Sequence, residues 1–246
     1  MISKDLELNN MEHSKTKRIK SIYIWTIFIF PILYILNSFT PWGKELWKSQ
    51  DHNSFSTFWI SVMILHWISA FLVFYFLKKT NIKLSEIGFS LKTKGIVIFI
   101  TIYALIALAI YSFTVFSLNY VELDKDALQG VQGLVIPQTN GERLLWVFMA
   151  FTAGFCEELV YRGFCIKMLE NKGINQWIAL FIATLPFIFI HGLAGIFSLN
   201  LLLFYFGAAL VFGVIFILTK KLWIPMMIHM VYDLFLIMAI FQFISK

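Results

Sequence analysis

The sequence predicts an all-α protein: a polytopic transmembrane helical bundle of about seven spans, with its N-terminus on the cytoplasmic side. Three observations point there. The 246-residue chain is 59% hydrophobic and 14% charged, where a soluble domain carries about 25% charged residues, and its mean hydropathy is +0.78. Seven apolar stretches approach the roughly 20 residues that a helix needs to cross a bilayer. Lysine and arginine collect in alternate connections, as membrane topology requires. The length suits one polytopic domain with little room for a soluble one.

Residues 1–21 form a basic tail, with Lys4, Lys15, Lys17, Arg18 and Lys20 ahead of the first apolar run. Beside a membrane such a run reads as a topology signal rather than a nucleic-acid site. That run has no small-residue cleavage site, so a cleavable leader is not expected; neither end carries a lipidation signal. Spans are expected near 22–39, 56–77 and 95–117, making up the N-terminal helices. The connection 78–94 holds Lys78, Lys79, Lys83, Lys92 and Lys94 and falls inside. The connection 118–143 falls outside and is mostly acidic, with Glu122, Asp124, Asp126 and Glu142 against Lys125 and Arg143. It is an extracytoplasmic loop, either a plain connector, a lid or an interfacial helix. The remainder, 144–246, forms a core with spans near 144–164, 175–196, 199–219 and 223–244. Asn140-Gly141 marks the start of the first of these. Lys167, Lys172, Lys220 and Lys221 return to the inner side. An eighth, re-entrant element is also compatible with this pattern.

Small residues four apart, Ala150 with Gly154 and Ala209 with Gly213, predict close helix contacts. Pro186 and Pro225 should bend or start their helices. Cys156 and Cys165 are nine residues apart on one predicted helix, about 13 Å along its axis, too far to form a disulfide.

The candidate chemistry lies within the apolar segments. Glu157, Glu158 and Arg162 sit inside the fourth span, where each charge costs roughly 2.5–3.5 kcal/mol to insert. Glu158 and Arg162 are four apart, with the acid on the N-terminal side, which suits an ion pair. Glu157 has no basic residue at that spacing. It shares a face with Ala150, Ala153, Gly154 and Tyr161, which could line a wet cavity; it is either a base for water or a structural hydrogen-bond hub. His191 lies on the fifth span, either functional or packed. His229 and Asp233, four apart on the seventh, fall close enough to hydrogen bond, for the site or for structure alone. His66, on the second span, has no acid at helical spacing and is assigned to packing or interhelical bonding. His13 and His52 lie in polar flanks. Depth agrees for Glu157 and His229, whereas a straight fifth span carries His191 towards the outer side.

Glu157-Glu158-Leu-Val-Tyr-Arg162 fits E-E-x-x-x-R, Phe187 to His191 fits F-x-x-x-H, and His229 to Asp233 fits H-x-x-x-(N/D). In that order the three resemble the motifs of the CPBP or Abi family, which comprises CAAX prenyl proteases and bacteriocin-processing or immunity proteins. The resemblance covers roughly residues 143–240. Leu84-Ser-Glu-Ile-Gly-Phe-Ser90 is also similar to a segment often found in that family. The resemblance implies an intramembrane glutamate endopeptidase without cofactor or metal. Glu157 would activate water, His191 would hold and polarise it, and His229 with residue 233 would stabilise the oxyanion. Glu158 and Arg162 would organise the site. An ionised Asp233 cannot donate to an oxyanion, so it orients His229 or keeps it protonated.

The expected activity is therefore hydrolysis of a membrane-associated peptide or protein, at a cell membrane and in a bacterial source, with no nucleic-acid partner. Three alternatives remain. Glu157, His191, His229 and Asp233 are all acceptable zinc ligands, so a metal-dependent protease fits. A non-catalytic bacteriocin-immunity or scaffold protein fits too. A proton-coupled transporter would also use buried carboxylates, although no inverted repeat is visible.

Overall fold

The computed structural model describes residues 21–44, 52–90, 93–118, 137, 139–191 and 199–244. The architecture is all-helical, with no strand among the described residues. The elements are α1 (Ser21–Asn37), α2 (His52–Thr80), a 3-10 turn (Leu84–Ile87), α3 (Thr93–Leu118), α4 (Asn140–Glu170), α5 (Gln176–Phe189), α6 (Leu199–Thr219) and α7 (Trp223–Ile244). Each helix from α1 to α7 covers one predicted apolar stretch. Four of them, α2, α3, α4 and α6, are long and apolar enough to cross a membrane. Residues 1–20 of the basic tail and, in loop 118–143, residues 119–136 and 138 lie outside the described residues.

Helix α4 is the axis of the bundle. In its most apolar window 61% is buried, against 22–39% for the other three long helices. It packs against α2, α3, α5 and α7. Tyr103 of α3 donates to the Val147 carbonyl at 2.6 Å. Trp67 of α2 donates to Thr152 at 3.3 Å. The start of α4 is set by a capping box. Thr139 accepts from the Glu142 amide at 3.2 Å, and Glu142 returns a carboxylate to the Thr139 amide at 2.9 Å. Two orphan donors of the first turn are thereby satisfied. The helix thus begins four residues before the expected 144 and takes in Glu142 and Arg143, both buried.

Gly154 bears out the predicted close contact: a Cβ there would lie 2.8 Å from the Met230 amide nitrogen on α7. This corrects the expectation of a wet face. Ala150, Ala153 and Tyr161 are buried in the core with Met230, because the small residues let two backbones meet where a cavity was expected. Gly213 likewise faces Leu180 across the α5–α6 contact. Within α4, residues Glu158–Ile166 are π-helical and wholly buried. Such wide turns are frequent at functional sites. The 3-10 turn docks beside them, where the Leu222 amide donates to the Gly88 carbonyl at 2.9 Å. Gly88 has φ +83° and lies against Phe216, so a side chain there is strained and obstructed.

Helix α5 departs from expectation. It ends at Phe189, not near 196, and its 14 residues span about 21 Å, short of a roughly 30 Å hydrocarbon core. Ile190 and His191 close it with tighter bonds, including His191 N to the Ile188 carbonyl at 3.1 Å. Gly192 follows directly, and glycine is about 1 kcal/mol less favourable than alanine inside a helix. His191 therefore stands at the end of a short helix, which replaces the straight crossing that gave the depth conflict.

Candidate active site

The buried charges of α4 meet residues from four other helices. Glu158 is fully buried, and its Oε1 lies 2.9 Å from Arg162 Nη1, as the four-residue spacing predicts. That contact is an ion pair by distance but not an aligned hydrogen bond, since Nη1 has no hydrogen-bond partner among the described residues. Arg162 Nη2 donates to the Ala209 carbonyl of α6 at 3.0 Å. Its guanidinium carbon sits 4.2 Å from the Phe187 ring centre and 5.7 Å from that of Phe212. Two aromatic faces and a carboxylate thus enclose the cation, an arrangement favoured where water is excluded.

His229 of α7 does not take its orientation from Asp233. Its Nδ1 is 2.9 Å from Glu158 Oε1, while Nε2 is 3.6 Å from Asp233 Oδ2, beyond hydrogen-bond range. Residues four apart on a helix do lie on one face. The ring is nevertheless aligned by the carboxylate across the helix interface and by Phe212, stacked at 4.7 Å. With Nδ1 donating to Glu158, Nε2 points at the second glutamate: Glu157 Oε2 is 3.9 Å away. Asp233 stands beside this pair, its side chain 19% exposed.

Glu157 is bound on its other oxygen. Oε1 lies 2.8 Å from Nε2 of His66 on α2, and the His66 Nδ1 lies 2.9 Å from the Val62 carbonyl. Oε2 is buried and has no hydrogen-bond partner among the described residues. The interhelical bond foreseen for His66 exists, and its partner is the central carboxylate. Spacing along one helix could not disclose that partner. A signal did exist, because a histidine in an apolar span needs a polar partner and Glu157 lacked one.

His191 completes the set. Its Nδ1 is 2.9 Å from the Phe187 carbonyl, and its ring stacks on Tyr205 at 3.8 Å. Phe187 stands between it and His229, with its ring centre 5.1 Å from that of His191 and 6.1 Å from that of His229. Glu157, Glu158, Arg162, His191, His229 and Asp233 are therefore brought into one neighbourhood, with Phe187, Phe212 and Tyr205 as aromatic walls. Among the described residues no three His, Cys, Asp or Glu side chains are arranged as a metal-ligand group. Cys156 and Cys165 are free and buried.

Residues 139–235 match the family of Rce1-like type II CAAX prenyl endopeptidases. The match supports the CAAX protease family for this chain and takes in all three motifs, over 97 of 246 residues. No curated protein and no solved structure matches the chain. The Rce1-like family points to a peptide hydrolase, and so to a peptide substrate and a membrane setting. The Rce1-like segment contains helices α4 to α6 and most of the described part of α7; His66 lies outside it.

Proposed function

We propose that the chain is an intramembrane endopeptidase in which Glu157 activates water against a peptide bond of a membrane-associated peptide or protein. One observation carries the reading: the buried Oε2 of Glu157 is free of hydrogen-bond partners among the described residues and faces His229 Nε2 at 3.9 Å. A base needs a free oxygen; an oxyanion needs a nearby fixed donor. Water gives one proton to Oε2 while its oxygen bonds to the scissile carbonyl carbon. His191, whose Nδ1 is engaged by the Phe187 carbonyl, offers Nε2 as an acceptor that orients the same water. The oxyanion accepts from Nε2 of a doubly protonated His229, whose Nδ1–H donates to Glu158. Collapse of the tetrahedral species breaks the C–N bond, and the proton held on Glu157 passes to the departing amine. Asp233 supports the charge of His229 rather than donating to the oxyanion.

On this reading all seven helices traverse or enter a cell membrane, the N-terminus is cytoplasmic, residues 144–246 are the catalytic core and 118–143 is an outer loop. The test is peptidomics of membranes holding the wild type or Glu157→Gln at matched abundance. Removing the general base costs about 10²–10⁴-fold, so fragments formed with the wild type should vanish. Identical peptide profiles would sink the enzymatic reading in favour of a non-catalytic immunity or scaffold protein.

A further inference from the structure

We propose that His66 is a positioning residue for Glu157: an imidazolium that keeps the carboxylate ionised and leaves Oε2, not Oε1, to face the reaction. The proposal rests on the reading of Glu157 as the base. Its ground is a count of protons. A carbonyl oxygen only accepts, so the 2.9 Å contact with Val62 assigns a hydrogen to His66 Nδ1. A neutral imidazole has one N–H, which would leave Nε2 as a bare lone pair. Yet Nε2 lies 2.8 Å from a carboxylate oxygen, a distance that requires a proton between the two atoms. Either the imidazole carries both hydrogens, or the carboxyl group is protonated and donates. A base must be ionised before it takes a proton, so the shared proton belongs to His66.

The surroundings agree. Glu158 has Arg162 and His229 on Oε1, and Asp233 has His229 within 3.6 Å. Glu157 reaches no arginine or lysine in the described ion pairs; its basic neighbours are His66 at 2.8 Å and, shared with Glu158 and Asp233, His229 at 3.9 Å. A buried carboxylate without a counter-charge is strongly disfavoured. His191 is the internal contrast. It has the same Nδ1 contact with the carbonyl four residues back, but its ring stacks on Tyr205 rather than closing a hydrogen bond to an acid. The two histidines thus divide the work, one holding the base and the other free to hold water. Tyr34 of α1 packs edge-on against His66 at 5.0 Å. The site therefore draws on α1 and α2, outside the Rce1-like segment.

Two measurements test this on the full chain in lipid nanodiscs and in cell membranes. Histidine labelled with ¹⁵N in the ring, with His66 assigned by its loss in His66→Gln, should show both nitrogens protonated. Glu157→Gln should convert that ring to the neutral form with hydrogen on Nδ1. A neutral His66 in the wild type, unchanged by Glu157→Gln, overturns the proposal. In membranes, His66→Leu should slow formation of the fragments that depend on Glu157 by about 10–100-fold, the loss expected for one hydrogen bond to a charged group. His66→Gln retains an Nε2 donor and should recover part of that loss at equal abundance. Full activity of His66→Leu also overturns the proposal. If fragments persist in Glu157→Gln itself, the reading of Glu157 as base fails instead, and the ring signature still decides whether the pair exists.

Discussion

The two flanks of α4 at the site treat adjacent glutamates in opposite ways. On one flank Glu158 is fully buried, and a single oxygen meets both Arg162 and His229 at 2.9 Å. The guanidinium is roofed by Phe187 and fastened to α6. On the other flank Glu157 has one short bond, to His66, and, like Glu158, one oxygen without a hydrogen-bond partner among the described residues. The difference teaches that burial alone does not mark a reactive carboxylate. What separates the two is whether a permanent cation lies within ion-pair reach. Arginine is always charged, so the Glu158 flank is a scaffold. Histidine can exchange a proton, which is why the proposed chemistry falls to the Glu157 flank.

This division can be broken most forcefully through Arg162. Arg162→Met leaves Glu158 buried without its cation, a change worth about 3–5 kcal/mol of stability. The thermal midpoint in detergent and the membrane abundance should both fall sharply. If midpoint and abundance hold while only peptide cleavage is lost, Arg162 is not a scaffold residue and the contrast collapses. A smaller effect sharpens it. Phe187→Leu removes the ring 4.2 Å from the guanidinium and should cost about 0.5–2 kcal/mol, read as a modest drop in midpoint. The smallest change is Asp233→Ala. Because Asp233 stands 3.6 Å from His229 and Glu158 already orients that ring, fragment formation should stay within about tenfold of wild type. Losing a true oxyanion donor costs about 10²–10³-fold, so a drop of that size would mean that Asp233 acts on the oxyanion directly.

What the sequence disclosed follows the range of each interaction. The seven apolar stretches each became a helix, since length and hydropathy are local properties. The Glu158–Arg162 pair was legible because four residues on one helix make it. The Gly154 contact was legible as a small-residue spacing, although it produced packing where a cavity was expected. The bonds of His229 to Glu158 and of His66 to Glu157 join residues 71 and 91 apart in the chain, and no periodicity carries such information. For the same reason Asp233 was credited with orienting His229: it was the acid within reach along the helix, while the one that wins comes from across the bundle. The early end of α5 had a local trace in His191-Gly-Leu-Ala-Gly195, outweighed by the continuing apolar run.

The π-helical stretch from Glu158 to Ile166 has one more consequence. Its ladder closes over five residues instead of four, so the number of residues there is itself part of the design. Exchanging a side chain in this stretch acts through that side chain's own contacts. Deleting one residue lets the chain relax to ordinary pitch and swings everything beyond it around the axis, taking Arg162 off Glu158 and Gly163 away from Leu222 and Ile87. A change in length should therefore disturb several of these contacts at once.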